Sequence, residues 1–227
     1  MIVLLCVPSH GIEHILRTIK EFLTRHPEVV CIYPTHPNPH VVDAISMNVG
    51  FIPKGHWLQT DVGAGRLIGE ACHIFELFCF LTDAQPVAVS VETLRSSDEN
   101  LFPTDNFSAQ ISFSDGSICT LVYTSIGHAR MGKERMELFF DSKAIMMNDY
   151  LELQGFGLTP WFDEIVTTPN KGHEVLLKTF FEGIRSSQVQ QPMSMQYLCM
   201  IAELTLVIDQ LACQGGGVKE FSTLGMR

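Results

Sequence analysis

Apolar and polar residues alternate over one stretch of the chain with a period of two. Phe107, Ala109, Ile111 and Phe113 fall on one side, and Ser108, Gln110 and Ser112 on the other. Successive side chains of a strand leave on opposite faces, so this pattern predicts a strand with one face buried. Asp115 and Gly116 follow, and residues 117–125 return with the same texture. That combination predicts a tight hairpin, because glycine takes positive φ without a Cβ clash. Alternation recurs over 134–140 through Met136, Leu138 and Phe140, and apolar runs at 87–94, 144–147 and 151–153 predict further strands.

Helical spacing appears elsewhere. Ile12, Ile15, Ile19, Phe22 and Leu23 recur opposite Arg17, Lys20 and Glu21, between strand-like runs at 2–7 and 29–33. Pro27 ends that helix, and Pro34, Pro37 and Pro39 break the second run. The texture changes from residue 45. Gly63 and Gly65 open a long apolar helix at about 66–81. Val175, Leu176, Thr179, Phe180, Gly183 and Ile184 line a later helix. Ser194 is the N-cap expected for another, which runs through Ile201, Leu204, Ile208 and Leu211. Residues 215–227 are expected to be mobile at their end. Strands bunched between helices predict an α+β fold: an antiparallel-rich mixed sheet covered by helices on one face, preceded by a short strand-helix-strand segment.

Composition narrows the partners. A net charge of -10 and a pI near 5.3 argue against nucleic acid and anionic membranes, which both need a positive surface. Neutral sugars and a cationic protein partner stay open. The seven cysteines (Cys6, Cys31, Cys72, Cys79, Cys119, Cys199, Cys213) include no C-x-x-C pair, so zinc-site spacing is absent. Most lie in apolar stretches, where a free thiol acts as a small hydrophobe, and a reducing, cytoplasmic compartment is expected. No apolar stretch approaches the roughly 20 residues of a membrane span, and residues 1–7 lack the basic start of a signal peptide. A soluble protein is expected.

A set of motifs goes further. Phe51-Ile52-Pro53 precedes His56-Trp57, then come Gly63 and Gly65, and a helix carries Gly69-Glu70 and Cys72-His73. With the later stretches DNFSAQISFSDGSICTLVYTSIG, KERMELFF and KGHEVLLKTFFEGIR, this resembles the C-terminal domain of the Gfo/Idh/MocA oxidoreductases. The likeness is closest to the branch from polysaccharide and sugar-nucleotide gene neighbourhoods. It covers residues 46–227, about four fifths of the chain. Residues 10–45 instead resemble a fragment of the UDP-N-acetylglucosamine 2-epimerase family through Pro34, His36, Asn38 and Pro39. The expected division is therefore an epimerase-like segment at 1–45 and a substrate-binding, catalytic domain at 46–227, with no Rossmann domain.

The resemblance implies part of an NAD(P)-dependent sugar or sugar-nucleotide oxidoreductase. NAD or NADP would bind only if a separate Rossmann-domain partner supplied the nucleotide site. It also implies a homo-oligomer formed through the exposed sheet face. A non-catalytic oligomerisation or binding module left by gene truncation or fusion is the alternative.

The same resemblance places His73 near the substrate as a catalytic residue, against the plainer reading of a core histidine on an apolar helix. Glu70 lies one helical turn earlier, where its carboxylate could orient the imidazole and raise its pKa. The common family pattern has an aspartate four residues before the histidine, where this chain has Gly69. Gly63 and Gly65 would let backbone approach a cofactor at a helix N-terminus, although G-x-G-x-x-x-G is not the dinucleotide fingerprint and equally marks a turn before a helix. Arg66 could add charge toward the substrate. His56 and Trp57 suit a sugar, with one polar tip and one flat apolar face, or simply anchor a loop. Lys54 is either a substrate contact or a solvated lysine. His36 and His40 are separated by prolines that forbid a helix presenting both to a metal.

Overall fold

The computed structural model describes residues 40–158, 162–169, 181, 185 and 194–221. The expected strand-helix-strand segment, most of the epimerase-like stretch and the helix expected over 175–184 lie outside them.

The described residues build one mixed sheet of nine strands in the order β8-β7-β6-β5-β1-β4-β3-β2-β9. In chain order these are β1 Val42–Asn48, β2 Pro86–Thr93, β3 Asn106–Phe113, β4 Ile118–Thr124, β5 Glu134–Phe140, β6 Lys143–Asn148, β7 Glu152–Phe156, β8 Glu164–Ile165 and β9 Gly216–Glu220. β1 lies between β4, to which it is parallel, and β5, to which it is antiparallel; every other pairing is antiparallel. The division expected after residue 45 falls inside β1, whose residues pair on both sides.

Alternation works as the sequence predicts. Phe107, Ala109, Ile111 and Phe113 of β3 are buried, and Met136, Leu138 and Phe140 of β5 join them on the same face. Gly116 takes φ +91° at the β3–β4 turn, where a Cβ would come within 3.1 Å of the His40 ring. Two helices cover the buried face: α1, Cys72–Thr82, and α2, Met195–Cys213. Phe75 and Phe78 of α1 and Ile201, Leu204 and Ile208 of α2 are fully buried on it. Burial of each such side chain contributes roughly 1.5–3 kcal/mol. Ser194 caps α2 by accepting a bond from the Tyr197 N–H.

The end of the chain expected to be mobile lies outside the described residues; ahead of it, residues 216–220 pair with β2 as the edge strand β9, which satisfies backbone groups that β2 would otherwise expose. Helix α2 has the length and mean hydropathy of a membrane span, 19 residues at 1.3, although none was expected. Its apolar residues serve the sheet, on which Ile201, Leu204, Ile208 and Ala212 are buried.

Candidate functional site

The segment feeding α1 is a π-turn, Leu67–Ala71, in which the Cys72 N–H reaches back to the Leu67 carbonyl. Such bulges rotate side chains off the regular helical track and often occur at functional sites. Here the bulge carries Glu70 toward the strand ends. The Glu70 Oε2 accepts from the Tyr123 hydroxyl at 2.6 Å and from the Arg66 Nε at 3.3 Å, and its Oε1 accepts from the Lys133 ammonium. Burial raises the Glu70 carboxyl, but the bonds from Lys133 and Tyr123 and the charges of Lys133 and Arg66 outweigh it. The net effect holds Glu70 below the ordinary carboxylate range, so it stays ionised. Burial, and then the Glu70 charge and bond, push the Tyr123 phenol up, which keeps it a donor.

The Glu70 oxygens are thus bonded to Lys133, Tyr123 and Arg66. The π-turn breaks the regular spacing on which a shared face depended. His73 sits half-buried in the first turn of α1, between the buried Cys72 and Ile74.

Beside this cluster, the Gln59 Nε2 donates to the Asp105 Oδ2 at 2.6 Å. Asp105 is buried, which raises its carboxyl against the pull of Gln59 and Arg66. The result is a polar layer at one end of the sheet, with Lys133 as a partly exposed cation: 41% of its side chain meets solvent. The partly exposed Lys133 ammonium can donate to a ligand oxygen there, beside the Glu70 carboxylate.

No family model and no curated protein matches the chain. Solved structures do. UDP-N-acetylglucosamine 3-dehydrogenase GnnA from Acidithiobacillus ferrooxidans is 16% identical at TM-score 0.56, over 86% of this chain and 58% of its own. An aldose-aldose oxidoreductase from Caulobacter crescentus is 17% identical at TM-score 0.65, over 92% and 60%. A myo-inositol dehydrogenase from Lactobacillus casei, solved with NAD(H) and myo-inositol, is 14% identical at TM-score 0.62, over 93% and 60%. These neighbours are of the type that the sequence motifs resemble. The fold is that of the Gfo/Idh/MocA oxidoreductases. The chain spans about three fifths of the length of the structures it matches.

Within this Gfo/Idh/MocA-type fold the remaining residues singled out from sequence fall into different places. Arg66 is turned inward: its guanidinium donates to the Gly50 carbonyl at 2.6 Å and the Val49 carbonyl at 2.8 Å as well as to Glu70. A buried guanidinium needs these acceptors, so Arg66 ties the 49–66 loop down rather than reaching for a substrate. Gly63 lies tight against the 57–58 backbone, where an added Cβ would meet the Trp57 carbonyl at 2.4 Å. Gly65, at φ +79°, turns the chain into the helix. His56 caps the short helix Trp57–Gln59 through its Nδ1, which accepts from the Leu58 N–H, and Trp57 stands 60% exposed beside it. Lys54 pairs with Glu99 on the open surface at 3.3 Å.

Sequence reasoning missed Lys133, Tyr123, Asp105 and Gln59. Tyr123 occupies an inward-facing strand position that reads as plain core, and Lys133 precedes a strand like any solvated lysine. Only the sheet order places them beside Glu70.

Proposed function

We propose that this chain provides the substrate-binding wall of an NAD(P)-linked sugar or sugar-nucleotide oxidoreductase. Glu70, Lys133, Tyr123 and the half-buried His73 would line it, with Trp57 and His56 at the rim. The observation that carries this reading is the polar layer of Glu70, Tyr123 and Lys133 at the end of a sheet whose fold is shared with sugar dehydrogenases. A nicotinamide, when bound, supplies the hydride acceptor. The chain's own residues would hold the sugar hydroxyl and take up its proton, with His73 as the expected base. Turnover would draw on a nucleotide-binding domain from outside the described residues, such as a separate partner. The buried free thiols of Cys79 and Cys119 suit a reducing, cytoplasmic compartment.

The test is calorimetry on the purified chain. Titration with a panel of sugars and sugar nucleotides is expected to give binding that weakens at least tenfold on Glu70→Gln, with no heat from NAD or NADP alone. Stable dinucleotide binding would refute the need for a second domain. No sugar binding at all would refute the substrate wall.

A second reading, the assembly module, has its own observation. On the open face of the sheet Phe156, Phe139, Val42 and Ile118 are 52%, 45%, 50% and 39% exposed. The strand registers place them in one row, with Ala144 between the phenylalanines. An exposed apolar row on a sheet face suits pairing with a second copy. Light scattering on Phe139→Glu separates the readings: loss of the dimer with sugar binding kept leaves the wall standing, whereas a dimer that binds no ligand leaves the module alone.

A further inference from the structure

Asp149 and Tyr150 follow each other in the turn between β6 and β7, both at φ 55°. This is the left-handed region that glycine fills most easily, and a tyrosine there is strained. Strain at a non-glycine turn persists where the side chains do something glycine cannot. Here both side chains grip the residues that start β5. The Asp149 Oδ1 accepts the Lys133 N–H at 3.0 Å and the Glu134 N–H at 3.3 Å, while the Asp149 N–H donates to the Glu134 carbonyl at 2.7 Å. The Tyr150 hydroxyl bonds the Glu134 carboxylate, whose Oε1 lies 3.8 Å from the Lys133 ammonium. On the other side, the Asn48 N–H donates to the Lys133 carbonyl at 2.8 Å. The Lys133 backbone is thus clamped from two strands, and only its side chain is left to choose a direction. It ends on Glu70.

We infer that the Asp149–Tyr150 turn is a positioning device that holds Lys133 against Glu70 and makes Lys133 a further residue of the candidate site. Two glycines would close the same hairpin without strain, but they would leave the Lys133 and Glu134 amides to water and the ammonium free to swing. With the clamp in place, one ammonium proton answers Glu70, and the exposed part of the group faces outward to donate to a ligand oxygen. Asp149 and Tyr150 need touch no substrate. The inference rests on the reading of the Glu70 end of the sheet as a substrate wall.

Carbon-13 NMR titration of the Glu70 carboxyl in the full chain tests the clamp without any ligand. Lys133→Met is expected to move the Glu70 titration upward, toward the ordinary carboxylate range. Asp149→Gly relieves the backbone yet removes the acceptor, and it is expected to move Glu70 the same way. Asp149→Asn keeps an acceptor and tolerates the left-handed turn, and it should leave Glu70 near its wild-type position. An unchanged Glu70 titration in Asp149→Gly would overturn the inference. Failure of Asp149→Gly to fold would also overturn it, since the turn would then serve the fold rather than one side chain. Failure to bind sugar would strike only the functional reading, because the titration uses none.

Discussion

Two buried acids in this protein sit in opposite circumstances. Asp43 lies on β1 in mid-sheet, 1% exposed, and no side chain among the described residues donates to its carboxyl oxygens. Burial pushes its carboxyl up to about 8, with only the adjacent Ala44 N–H pulling the other way. Glu70 is also withdrawn from water, but Lys133, Tyr123 and Arg66 surround it and hold it below the usual range. Desolvation is common to both, and the donors decide the outcome. One acid is a neutral group in an apolar core at pH 7, the other a fixed anion at a strand end.

The largest expected effect comes from Asp43. In the unfolded chain it loses its proton near 3.8, and in the fold near 8. Between those values the folded state holds more protons than the unfolded one, so stability falls as pH climbs through that window and levels off above it. The fall amounts to on the order of 5 kcal/mol, as an upper estimate. Asp43→Leu should flatten this slope, and at pH 7 it should stabilise the protein by about 1–3 kcal/mol. Urea melts at several pH values read both. A flat profile in the wild type would erase the contrast with Glu70.

A smaller effect sharpens the other side. Tyr123→Phe deletes one donor to an ionised carboxylate and should cost about 1.5–3 kcal/mol in the same melts at pH 7. It should also move the Glu70 titration upward. Glu70 contributes stability above its unfolded pKa that is lost as pH falls through its lower folded one, so the variant should narrow the acid-side range. If Tyr123→Phe left both readings untouched, Lys133 and Arg66 alone would account for the Glu70 charge. The smallest effect belongs to Lys54→Ala. Its partner Glu99 is 85% exposed, and loss of this pair should change stability by less than about 0.5 kcal/mol. Sugar binding should be equally indifferent to it. A tenfold loss there would restore Lys54 to the substrate side.

Much of the sheet is legible from the period of two. β3, β4 and β5 follow the alternation of Phe107 to Phe113, its return across Asp115-Gly116, and Met136 to Phe140. β1 is harder to read, because an aspartate interrupts its inward row of Val41, Ile45 and Met47. β9 is harder still: Gly216 and Gly217 look like a loose tail, yet they fit where the backbone runs close to β2, and a Cβ at Gly216 would meet the Val91 carbonyl at 2.8 Å. Of the candidate site, Glu70 and His73 are visible as a motif, but the bonds of Glu70 to Tyr123 and Lys133 are not.

The sequence by itself determined the class of fold, the helix-covered sheet and the helix that bears Glu70 and His73, because each depends on a local period or a cap. The tertiary structure alone decided which groups Glu70 answers. Tyr123 lies 53 positions along the chain from Glu70 and Lys133 lies 63, so no local pattern links them. They meet because β1 inserts between β4 and β5 and brings their ends together under the π-turn. A carboxylate's charge depends on what surrounds it in space, and that is settled by strand order.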